Sequence, residues 1–124
     1  MPITLEWDGA DRSVVRCTFE GDWTWDDAHT ALDRLAAMVA DSEQVWLIIV
    51  RQNTRLRHED VVTNLRRVIT SLPPHVEMTV IVGASVFATL MIEALGRVGI
   101  GPNIRFAETL EVAREMIAAR QGRE

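Results

Sequence analysis

The chain predicts an α/β fold with elements in the order ββαβαβαβα around a mostly parallel sheet. Three observations carry that expectation. Val45 to Val50 is a continuous apolar, β-rich run, the pattern of a central strand covered on both faces. Stretches with apolar residues at helical spacing alternate with short strand-like segments along the rest of the chain. Two early segments, joined by the turn-rich Asp8-Gly9-Ala10-Asp11, predict a hairpin that supplies one antiparallel edge.

Each element has its own local reason. Residues 2–8 and 13–20 read as the hairpin strands; in the second, Val15, Cys17 and Phe19 alternate with Arg16, Thr18 and Glu20. Gly21-Asp22 ends it. Thr24 is placed to cap a first helix, with Asp26 and Asp27 in its first turn, where the helix dipole favours negative charge. Ala28, Leu32, Leu35 and Val39 give that helix one apolar stripe. After the central strand comes a polar loop, Arg51 to Arg57. A second amphipathic helix carries Val61, Val62, Leu65, Val68, Ile69 and Leu72 and stops at Pro73-Pro74. On this pattern Arg57, Asp60, Asn64 and Arg67 face outward. Met78 to Val82 forms the next strand, Gly83-Ala84 turns the chain, and Ser85 caps a third helix running to about Arg97. That helix is apolar nearly all round, which predicts that it is well buried. A short strand near Ile104 to Phe106 leads to a last helix capped by Thr109 and holding Leu110, Ala113 and Ile117. With no linker, repeat or low-complexity segment, residues 1–124 read as a single domain.

Strand–helix alternation requires right-handed crossovers, and ligands or partners of such sheets usually meet the loops at the carboxyl ends of the strands. Those ends fall at Gly21 to Thr24, Arg51 to Asp60, Gly83 to Ser85 and Phe106 to Thr109.

Charge is unevenly distributed. Residues 1 to 45 hold ten acids and three arginines, whereas residues 51 to 67 hold five arginines and two acids; the whole chain carries −5. An acidic balance argues against general nucleic-acid binding. No apolar run is long enough to span a bilayer, the first residues lack a signal-peptide pattern, and the lone Cys17 cannot close an internal disulfide. A cytoplasmic location is the expectation.

Phe19-Glu20-Gly21-Asp22-Trp23-Thr24-Trp25-Asp26-Asp27-Ala28 resembles the STAS pattern of a strand ending in Gly, a few residues, then a helix. The long apolar third strand and the late Phe106-Ala107-Glu108-Thr109-Leu110-Glu111-Val112-Ala113 are similar to that family's late strand and final helix. The nearest resemblance is to stand-alone SpoIIAA-like domains, the fold of bacterial anti-sigma-factor antagonists. It covers nearly the whole chain and rests on order and spacing. It implies a non-enzymatic regulatory module that acts by protein–protein interaction. In the antagonists a serine at the start of the helix after the third strand is phosphorylated. The corresponding Arg55-Leu56-Arg57-His58-Glu59-Asp60-Val61 contains no serine, so the implied phosphoswitch does not carry over.

Several residues stand out as candidate contacts. Arg51, Arg55, Arg57, Arg66 and Arg67 form the only net-positive block, and guanidinium forks suit carboxylate or phosphate groups. The plainer account pairs them with the acidic first third of the chain, or with Glu59 and Asp60. Trp23 is the best candidate for an exposed anchor, with Trp25 and Trp46 read as packing residues. Gly83-Ala84-Ser85 followed by a helix, with His58 on a neighbouring loop, is the one arrangement that suggests a Ser85/His58 esterase. The second glycine of a nucleophile elbow is missing, and helix capping explains Ser85 fully. His29, His58 and His75 lack metal-ligand spacing, and no cofactor motif stands in the right context.

Two function classes therefore remain beside the remote esterase. One is an interaction module using the second helix and its preceding loop, with Arg57, His58, Asp60 and Arg67 as contacts. The other is a binder of a small acidic or lipid-like molecule at the strand ends, with Trp23 and Phe106 as apolar wall and Arg51 or Arg55 on the anion. A homodimer is expected through the third helix around Phe87, Leu90, Met91 and Ala94. The edge strand, with Ile3, Leu5 and Trp7 alternating, is the lesser contact because Glu6 and Asp8 place acids on it.

Overall fold

A computed structural model describes residues 2–54, 59–99 and 103–122. It is an α/β fold in the expected order: β1 (Ile3–Trp7), β2 (Val14–Glu20), α1 (Trp25–Met38), β3 (Val45–Gln52), α2 (Val61–Thr70), β4 (Val76–Val82), α3 (Val86–Arg97), β5 (Ile104–Ala107) and α4 (Leu110–Arg120). The five strands form one sheet in the order β1-β2-β3-β4-β5, with β1 antiparallel to β2 and all other pairs parallel.

This order steps across the sheet without reversal. Three successive right-handed crossovers in one direction place their helices on one face. On that face α1 packs over β1 and beside α2, and α2 lies beside α3. The other face is covered by α4, which lies against β3, β4 and β5. The period of two along each strand divides the core accordingly. Ile3, Val15, Cys17, Val45 and Leu47 pack with Ala28, Ala31 and Leu35 of α1, whereas Ile48, Val50, Met78, Val80 and Val82 pack with Ala113 and Ile117 of α4.

The helix starts follow the sequence. Thr24 Oγ1 accepts from the Asp27 backbone N–H at 3.1 Å and Asp27 Oδ2 accepts from the Thr24 N–H at 2.9 Å, a reciprocal capping box. Ser85 Oγ accepts from the Ala88 N–H and Thr109 Oγ1 from the Val112 N–H, so both cap as expected.

Three expectations are corrected. α3 is not well buried: only Ile92 is fully covered, while Val86 is 78% exposed and Leu90 60%. A helix apolar on every side carries no directional signal, and here the neighbours of α3 lie in α2 rather than in the strands. The apolar side of β1 is not available as a contact, because Ile3 is buried and Leu5 and Trp7 pack into the same core beneath α1. Its acids are also already paired. Arg16 bonds Glu6 and Asp8, and Arg114 of α4 donates to both Asp8 carboxylate oxygens at 2.9 and 2.8 Å. On α2, Val62 faces outward and Asn64 does not. Asn64 Oδ1 meets His29 Nε2 at 3.1 Å in the cleft between α1 and α2.

Candidate functional site

Between the sheet and the three helices of one face lies an apolar cavity of about 120 Å³. Its floor is built by sheet register. Leu47, Thr79 and Ile104 align across β3, β4 and β5; the next row of the same face is Cys17, Ile49 and Ile81, and the next brings Phe19 beside Arg51. Of these, Thr79, Ile104, Ile49, Ile81, Phe19 and Arg51 line the cavity. Trp25 and Ala28 of α1, Leu65 and Ile69 of α2, and Ala88 and Ile92 of α3 close it from above. Trp23 completes the wall on the β2–α1 side.

Trp23 is a correction. It is 4% exposed, not an exposed anchor. Its indole stands edge-on to both Phe19 and Trp25, with ring centres 5.0 Å apart in each pair, so the three rings form one aromatic corner. The sequence signal, two tryptophans around Thr24 after a strand-ending glycine, marked the right place and the wrong orientation.

Among the described residues, three buried side-chain atoms have no hydrogen-bond partner: Trp23 Nε1, Trp25 Nε1 and Thr79 Oγ1. All three residues line this cavity. A buried polar group without a partner costs about 1–3 kcal/mol, and native structures keep few of them. An aromatic face offers an indole N–H only a weak acceptor. These unmet groups are what sequence reasoning missed, because each depends on what the tertiary fold fails to bring near it.

At the carboxyl ends of the strands, Arg51 ties the cavity mouth together. Its Nε donates to the Gly83 carbonyl at 2.7 Å and its Nη1 to the Thr54 carbonyl at 3.2 Å, while the Thr54 hydroxyl donates to the Gly21 carbonyl. Gly83 turns with φ +78, and a Cβ there would come 3.4 Å from the Arg51 carbonyl oxygen, so the turn suits glycine. Arg51 has no carboxylate partner among the described residues.

The other candidates are not gathered here. Arg55, Arg57 and His58 lie outside the described residues, and with them the His58 half of the esterase pair. Ser85 lines the cavity and its oxygen caps α3. Arg67 is exposed on α2; Asp60, also exposed, precedes the helix in a left-handed conformation, φ 48, and its side chain makes no cap bond. Phe106 lies apart from the cavity, in a shallow hollow with Gly83, Ala84, Thr89 and Glu108. His29 and His75 have structural partners, His75 Nε2 meeting the Val39 carbonyl at 2.7 Å. No group of metal-binding side chains stands together among the described residues. Among those residues, no helix is long and apolar enough to cross a membrane.

Burial pushes the Cys17 thiol up to about 12. Comparison with protein-family models, with curated protein sequences and with solved structures returned no match.

Proposed function

We propose that this chain is a non-enzymatic binding module that holds a small, largely apolar molecule bearing hydrogen-bond acceptors in the cavity beneath α3. The observation that carries this is the coincidence of an apolar cavity with three unpaired polar atoms on its lining residues. Each is a donor or can become one, since an indole N–H only donates and a threonine hydroxyl rotates to suit its partner. A ligand with acceptor atoms removes the penalty of leaving them unmet, while its apolar body fills space the side chains leave open.

Native mass spectrometry of protein freshly purified without detergent tests this. The expected result is a bound mass that disappears on denaturation and is absent from a folded Ile92→Trp variant, whose larger side chain fills the cavity. A clean apo mass for the wild type refutes the proposal.

A second role is favoured by the exposed apolar stripe of α3, where Val86, Phe87 and Leu90 face outward. A STAS-like, cytoplasmic regulatory module would use such a stripe to dock a protein partner or a second copy of itself. Light scattering at several concentrations addresses the homodimer; a 14.0 kDa species throughout excludes it.

A further inference from the structure

The cavity is apolar along its floor and meets one cation, Arg51, at its mouth. Its lining runs across the sheet from Phe19 on β2 to Ile104 on β5, and along the strands from the row of Thr79 to the row of Arg51, around a space of about 120 Å³.

Donors gather at the mouth. Phe19 and Arg51 share a row of the sheet, and Phe19 meets Trp23 edge-on, as Trp23 meets Trp25. Trp23 and Trp25, whose indole N–H groups are unpaired among the described residues, therefore lie on the Phe19 side of the cavity, the side of Arg51. The α1 and α3 N-termini open at this end as well, capped by Thr24 and Ser85. Among the described residues, no carboxylate lines the cavity. Arg51 spends two of its N–H groups on the carbonyls of Gly83 and Thr54, and a guanidinium carries five.

The geometry points to an apolar carboxylic acid as the ligand, with its carboxylate at Arg51 and its apolar body beneath α3 against Ile92 and Ile104. This rests on the cavity proposed above as a binding site and adds the charge and the direction of what enters it. A carboxylate there is held by charge-assisted bonds. An alcohol of equal length keeps only the apolar contacts and a neutral hydrogen bond, and an amine meets like charge.

The experiment is a calorimetric titration of the wild-type chain with decanoate, decanol and decylamine at pH 7 and low salt, each below its aggregation limit. Decanoate is expected to bind about tenfold more tightly than decanol, the ratio for one charge-assisted bond partly exposed to water, and decylamine more weakly than either. Ile92→Trp is expected to abolish decanoate and decanol binding alike. Arg51→Gln, checked for folding by thermal melt, is expected to abolish the preference for decanoate over decanol. Equal binding of decanoate and decanol by the wild type overturns the carboxylate assignment while leaving the cavity as a site. Binding of neither overturns both, and decanoate binding that survives Ile92→Trp moves the acid to some other surface.

Discussion

Replacing Thr79 by Val is expected to make the protein more stable, the reverse of what most core substitutions do. Thr79 is 1% exposed in β4, set between the aliphatic Leu47 and Ile104 in its row of the sheet, and its hydroxyl has no partner among the described residues. Burying an unpaired hydroxyl costs about 1–3 kcal/mol in proteins. Valine has nearly the same shape, is equally suited to a strand, and puts a methyl where the oxygen was. No backbone group loses a bond in the exchange. The net expectation is a gain of about 1–2 kcal/mol at the lower part of that range, seen as a rise in melting temperature of roughly 4–8 °C. Urea unfolding of protein refolded from denaturant, so that no ligand is carried over, is the assay. A Thr79→Val variant equal to or less stable than wild type would show that the hydroxyl is satisfied in solution, and that unmet polar groups cannot be used as the mark of this cavity.

The ion network at the hairpin supplies a second test. A double-mutant cycle on Asp8 and Arg114 is expected to give a coupling of about 1 kcal/mol, above the usual exposed pair because both carboxylate oxygens are bonded and Asp8 is largely covered. The Arg114 bond, then the charges of Arg114 and Arg16, hold the Asp8 carboxyl below its ordinary 3.8 despite partial burial. Its contribution is therefore present above the unfolded value and lost as pH falls through the folded one. Wild type should lose more stability than Asp8→Asn between about pH 5 and pH 2, and parallel acid profiles would contradict this. Cys17 gives a third. Its thiol should react with a disulfide reagent at pH 8 only as fast as the protein opens, and labelling at the rate of a free thiol would refute its burial. Its contribution runs the other way with pH: the unfolded thiol ionises near 9.0 and the folded one near 12, so stability falls as pH rises above 9.

What was legible in the sequence follows local rules. The apolar run Val45 to Val50 is a central strand because both faces of β3 are covered, and Thr24, Ser85 and Thr109 cap because side-chain capping is decided within three residues. What was not legible depends on distant partners. Trp23 sits in an irregular link where no period tells inside from outside, and its burial is fixed by Phe19 on β2 and Trp25 on α1. Asn64 is polar at a helical position between two faces, and only the arrival of His29 from α1 turns it inward. The helix α3 was read in two ways, as a buried element and as a dimer surface. Its exposed Val86 and Leu90 overturn the first, and the second stands as a proposal. The cavity itself is a failure of α3 to close upon the sheet, and no local pattern records a gap.

The strand order has a consequence for how the chain comes together. Each strand hydrogen-bonds only to its neighbours in sequence, so no strand has to wait for a later one to be inserted beside it. During synthesis the sheet can therefore grow one strand at a time, a route with modest loop-closure cost. The two sides do not mature together. Ile48, Val50, Met78, Val80 and Val82 have no helix to meet until α4 emerges, after every strand it covers. Until then a nascent chain presents a flat aliphatic surface to its surroundings, and a ribosome stalled before Ala113 and Ile117 would hold out the stickiest form of this protein.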